Sequence, residues 1–110
     1  MRFRQTAAAA LIAAAAAVPP ARAQDVAAGA RKAIACQACH GLDGVSRLPE
    51  APHLAGQPAL YLEPALRAYR SGERRNEVMS IAAKSLGDDD VRDLAAYFAA
   101  IQIEVKSLPK

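Results

Sequence analysis

The chain has no tryptophan and only five other aromatic residues, three tyrosines and two phenylalanines, in 110 positions. Aromatic side chains bury more area per residue than any others. A small domain so poor in them needs another bulky group at its centre, and small domains commonly recruit a disulfide, a metal or a cofactor for that purpose. Period-2 alternation of apolar and polar residues is absent over any useful length, which excludes a sheet-based architecture. There is no internal repeat and no second apolar block to support a second domain. Paired carboxylates and nucleophile–base arrangements are missing too, so the chain is not expected to be an enzyme on its own.

A surplus of one charge is lacking once the first residues are set aside. The formal net charge is +3, yet Arg2, Arg4 and Arg22 precede residue 24 and all eleven acids follow residue 23. Residues 24–110 therefore hold eleven basic and eleven acidic side chains, and that balance gives no electrostatic footprint for nucleic acid. The first residues have their own pattern: a basic start at Met1–Arg4, an apolar run from Ala7 to Val18, a break at Pro19–Pro20, and Ala21–Arg22–Ala23. A basic start, a short apolar stretch and small residues at an A-x-A end make a secretory signal. The run is shorter than the about 20 apolar residues needed to cross a bilayer. The expectation is a cleaved signal at 1–23, a single exported domain at 24–110 in the periplasm, and no membrane span after cleavage.

What is present in that domain is helical. Gln24 to Cys39 carries no proline, and Val26, Ala30, Ala33 and Ile34 recur at helical spacing. Gly41–Leu42–Asp43–Gly44 reads as a helix stop followed by a turn, and Pro49, Pro52 and Gly56 make 45–57 a loop. Pro58 opens a second helix running toward Tyr69 and stopping near Ser71–Gly72. Pro64 inside it predicts a kink, or a short turn ahead of the helix proper. A helical turn is expected within Val78–Lys84. Asp88, Asp89 and Asp90 suit the positive end of a last helix, whose stripe is Val91, Leu94, Ala95, Phe98 and Ile101. The fold class is all-α.

Chemistry concentrates at Cys36–Gln37–Ala38–Cys39–His40. On a helix, positions i, i+3 and i+4 share a face, so two thiols and an imidazole point the same way within one turn. Two thiols can add to the two vinyl groups of a porphyrin, and the adjacent imidazole can reach its iron; C-x-x-C-H is the attachment pattern of haem c. Three other uses of these residues are open: a Cys36–Cys39 disulfide, natural in an oxidising compartment; a thioredoxin-like pair, which wants βαβ surroundings; and a zinc site of Cys36, Cys39, His40 and His53, for which His40 directly after Cys39 is poorly spaced. The export signal and the helical pattern favour haem. Met79, the only methionine besides Met1, stands about forty residues after His40, far enough to reach the opposite face of a haem as second axial ligand. His53 is the rival for that place.

These residues resemble class I cytochromes c, closest to the short bacterial c-four/c-five type. The likeness runs from Asp25 to Ile101. It rests on C-Q-A-C-H-G at 36–41, P-H-L-A-G-Q at 52–57, R-S-G-E-R at 70–74, Met79, and L-G-D-D-D-V-R-D-L-A-A-Y-F at 86–98. The resemblance implies a cytochrome c fold around one haem, held covalently by Cys36 and Cys39, with His40 and Met79 on the iron. It implies that the carbonyl of Pro52 accepts the Nδ1 proton of His40, and that Gly29 lies where the first helix crosses the last beside Tyr97 and Phe98. Gly87 replaces the Ser or Thr that usually caps the last helix. Arg67, Arg70 and Arg74 read as one helical face with Arg75 beside it, either solvated, docking an acidic partner, or touching a haem propionate from Arg74 or Arg75. The implied function is one-electron transfer between redox partners such as a dehydrogenase, oxidase or reductase. The alternatives are a cytochrome subunit of a larger dehydrogenase complex and a haem-based ligand sensor.

Overall fold

The computed structural model describes residues 24–110, and the expected signal at 1–23 lies outside the described residues. Five α-helices follow one another: α1 Val26–Lys32, α2 Gln37–His40, α3 Ala59–Ser71, α4 Met79–Ala82 and α5 Asp88–Ala100, with a 3-10 turn at Ala33–Cys36 joining α1 to α2. No strand occurs among the described residues. The fold is the small all-α one expected.

The organising contact is the crossing of α1 and α5. It requires a glycine. A Cβ built on Gly29 would stand 2.0 Å from the backbone carbonyl oxygen of Asp93 and 2.7 Å from the Cβ of Tyr97, so two helix backbones meet where any side chain would sit. The buried side of α1 is therefore Ala28 and Gly29, continued by Ala33. Val26 and Ile34, two members of the stripe expected from hydropathy, are exposed. Close approach outweighs hydrophobicity here, because the larger side chains cannot enter so narrow a crossing.

The crossing is also fastened by charge. The Asp25 carboxylate caps α1 by accepting from the Ala28 N–H at 2.9 Å. Asp93, 2 % exposed, accepts from the Asp25 N–H at 3.0 Å and pairs with Lys32 at 2.7 Å. Lys32 also reaches Asp90 at 2.8 Å. The other Asp90 oxygen accepts from the Gly87 N–H at 2.8 Å, so a side chain inside α5 supplies a cap that glycine lacks.

Helix α5 buries Val91, Leu94, Ala95 and Phe98 as its stripe predicts, with Ile101 packed at its edge. Leu62 and Leu66 of α3 join Leu94, Ala95 and Phe98 in one cluster that also touches Cys36. The Tyr97 and Phe98 rings meet edge to face at 5.1 Å. Pro64 lies inside α3, which is one element from Ala59 to Ser71, so there is no separate short turn ahead of the helix proper. Its missing N–H withdraws a single bond from the Leu60 carbonyl, and both residues are exposed, so water can serve that oxygen. Gly72, in the left-handed conformation at φ 84°, ends α3.

The expected arginine face is not there. Arg74 and Arg75 lie beyond the end of α3, and the two helical arginines are engaged within the molecule. Arg67 pairs with Glu63 at 3.1 Å, while Arg70 pairs with Asp88 at 2.7 Å and donates to the Leu86 carbonyl at 2.9 Å. Helix stop and charge pairing thus remove the continuous basic stripe.

Candidate haem attachment site

The run from α1 through the 3-10 turn into α2 presents Cys36, Cys39 and His40 at the end of one continuous helical path. Tightening at Ala33–Cys36 keeps the chain advancing while Ala33 stays fully buried against the core. Gly41, at φ 84°, stops α2; a Cβ there would lie 2.3 Å from the Val45 carbonyl oxygen. The chain then closes a loop whose ends are tied by the Leu54 and Ala55 N–H groups donating to the Gly44 carbonyl at 2.8 and 3.0 Å.

His40 is buried, and its Nδ1 lies 2.9 Å from the Pro52 carbonyl oxygen. A carbonyl can only accept, so Nδ1 carries the proton and Nε2 keeps its lone pair. This is the tautomer a metal-ligating imidazole needs, with its orientation set by a second group. Ser46, unremarked in the sequence, is the keystone of the same loop. Its hydroxyl lies 2.8 Å from the Cys39 carbonyl, to which it donates, and accepts from the Leu48 N–H at 3.0 Å. The Ser46 N–H donates to His53 Nδ1 at 2.9 Å. His53 is thus a loop-closing residue, and its Nδ1 is occupied. Asp43 and Arg47 pair across the loop at 2.9 Å. Arg47 first, and then the Val45 N–H, hold the Asp43 carboxyl down at about 2.

Cys36 and Cys39 are free thiols. Burial first, and the neighbouring Cys39 second, push the Cys36 thiol up, which disfavours the thiolate that a redox nucleophile needs. Among the described residues no group of three or more His, Cys, Asp or Glu is disposed to hold a metal ion, so the four zinc candidates are not assembled into a site. Met79 is the half-buried first residue of α4, a helix that packs on α3. The Arg74 guanidinium lies over the Tyr69 ring at 4.6 Å, and its bond to Tyr61 raises its already high pKa.

These residues fit a haem. Two free thiols one turn apart and an imidazole whose Nε2 is left open are the donor set of thioether attachment and axial ligation. The elements that carry Cys36 and Met79, with the start of α3, also hold large apolar side chains at the surface: Ile34 (65 % exposed), Leu60 (91 %), Tyr61 (53 %), Val78 (59 %) and Ile81 (76 %). Covering one such side chain contributes about 1.5–3 kcal/mol, a gain open to a flat apolar macrocycle.

The Cytochrome c family model matches residues 26–102, and the chain belongs to that family. Its cofactor is covalently bound haem c, and it is a cytochrome c4-like electron carrier. It is 44% identical over 81 residues to cytochrome c-554(548) of Halomonas halodenitrificans, an alignment covering 71% of this chain and 98% of that protein. The crystal structure of reduced recombinant cytochrome c4 from Pseudomonas stutzeri superimposes with a TM-score of 0.68 at 37% identity, over 73% of this chain and 47% of the other. A thiosulfate dehydrogenase electron acceptor of Stutzerimonas stutzeri is 42% identical over 69 residues, 60% of this chain and 32% of that protein. The chain thus spans nearly the whole of the first relative and half or less of the other two.

Proposed function

We propose that the chain is exported, loses residues 1–23, and works in the periplasm as a mono-haem one-electron carrier. In this reading Cys36 and Cys39 form the two thioethers, His40 and Met79 ligate the iron, and Arg74 lies toward a propionate. The observation that carries the reading is the buried His40 ring, its Nδ1 proton held by the Pro52 carbonyl one residue away from a reduced thiol pair. Bound haem supplies a reversible one-electron change at iron. The protein's own share is to hold the imidazole in one tautomer, keep water from the iron by apolar cover, and change little between oxidation states. Two strong axial ligands favour electron transfer over small-molecule chemistry.

The test is maturation in a host able to attach haem. The purified protein should be coloured, with the mass of residues 24–110 plus one haem. A colourless protein with the mass of bare polypeptide removes the assignment of Cys36 and Cys39. Met79→Ala should abolish the sulfur–iron charge-transfer band of the oxidised form and open the reduced form to rapid carbon monoxide binding. An unchanged band excludes Met79 as ligand, and rapid carbon monoxide binding by the unaltered protein favours a ligand sensor.

A second reading, the cytochrome partner or subunit of a dehydrogenase, is favoured by the similarity to an electron acceptor of thiosulfate dehydrogenase. Reduction of the purified protein by such an enzyme with thiosulfate would support it; no reduction under those conditions counts against this donor.

A further inference from the structure

We infer that Asn76 is the positioning residue for Met79: its side chain holds the backbone that presents the sulfur. The Asn76 Oδ1 accepts from two successive N–H groups, Val78 at 3.0 Å and Met79 at 2.9 Å. A reciprocal pair closes the bracket. The Asn76 N–H donates to the Ser80 Oγ at 3.0 Å, and the Ser80 N–H donates to the Asn76 carbonyl at 3.0 Å. Residues 77–79 are thus enclosed between Asn76 and Ser80, with Met79 opening a four-residue helix.

Ahead of Ala83, which is fully buried where α4 ends, the segment has little else to hold it. Residues 71–78 are all exposed, and α4 buries none of its own residues. Glu77 and Val78 contribute no side-chain anchor that would set the Met79 backbone, and a helix of one turn is not self-sustaining, because nucleation costs more than one turn of hydrogen bonds returns. An asparagine side chain serving the first free N–H groups offsets that cost. If Met79 is the axial ligand, on which this inference rests, the bracket decides how often its sulfur leaves the iron.

Losing two such bonds raises the population of the open state about tenfold, the equivalent of about 1.4 kcal/mol. The holoprotein carrying Asn76→Ala should therefore bind carbon monoxide in its reduced form about tenfold faster than the unaltered protein, with a weakened sulfur–iron charge-transfer band when oxidised. Asn76→Asp keeps the accepting oxygen and should restore both. Ser80→Ala, which removes only one bond of the bracket, should move them in the same direction by about threefold. The comparison includes the unaltered protein and Met79→Ala. If the unaltered protein shows no charge-transfer band, the ligand assignment and this inference fall together. If its band is present but Asn76→Ala and Ser80→Ala leave band and carbon monoxide rate unchanged, the ligand assignment stands and Asn76 is an ordinary turn residue. A loss of thermal stability without either spectroscopic change also overturns the inference.

Discussion

Gly29→Ala is expected to destabilise the holoprotein by about 3 kcal/mol, at the upper end of overpacking penalties. Two effects oppose each other. Alanine is favoured over glycine inside a helix by about 1 kcal/mol, which would stabilise α1 in isolation. Against this, the new methyl would meet the Asp93 carbonyl oxygen at 2.0 Å, its carbonyl carbon at 2.7 Å and the Tyr97 Cβ at 2.7 Å. Two of these are backbone atoms of α5 and cannot rotate aside, so the helices must separate. Separation loosens the path that runs from α1 through the 3-10 turn to Cys36, Cys39 and His40. The denaturant midpoint of the holoprotein should fall while its slope stays the same. A midpoint within experimental scatter of the unaltered protein would mean that the crossing is not as tight as the structure makes it.

The same position shows which features could be read from the sequence. Val26, Ala30, Ala33 and Ile34 recur at helical spacing, but the buried face is chosen by Gly29, which has no hydrophobic weight and which only the family resemblance placed at the crossing. The last helix was legible because Val91, Leu94, Ala95 and Phe98 meet the core in the ordinary way, by area. The candidate attachment residues Cys36, Cys39 and His40 stand out in the sequence because thioether and axial chemistry needs a fixed spacing along one turn. Ser46 was not. A serine in a glycine- and proline-rich loop looks solvated, and only the fold reveals that its hydroxyl and amide tie Cys39, Leu48 and His53 together. Pro64 is tolerated inside α3 because the carbonyl it leaves without a donor belongs to an exposed residue, Leu60. The arginines were misread because a basic face counts charges without their partners, and Glu63 and Asp88 are both within reach.

Asp93→Asn is expected to cost about 2–3 kcal/mol, the range for a buried hydrogen bond to a charged group. Inside the Val91–Leu94 stripe this aspartate would pass for a solvent-facing residue, yet it is among the most completely buried side chains of the domain. It joins the start of α1, through the Asp25 N–H, to the end of α1, through Lys32. The amide keeps the shape and one accepting oxygen, but it turns either that oxygen from Asp25 or its NH2 group toward the Lys32 ammonium. The loss should appear as a lower denaturant midpoint with the haem spectrum intact. An unchanged midpoint would mean the buried carboxylate contributes nothing net, as happens for some buried pairs. The pH dependence gives a second check. Lys32 has its pKa raised, first by Asp90 and then by Asp93. Its contribution is therefore complete below the ordinary lysine range and is lost as pH rises through the raised value. Asp90 has its pKa lowered, first by Lys32 and then by the Gly87 N–H, so its contribution is present above about pH 4 and is lost as pH falls further. Thermal midpoints of the unaltered holoprotein should decline on both limbs, acid below about 4 and alkaline above about 10.5. Lys32→Met should flatten the alkaline decline, because the group whose deprotonation drives it is gone, and an equally steep alkaline limb in that variant would assign the decline to another group.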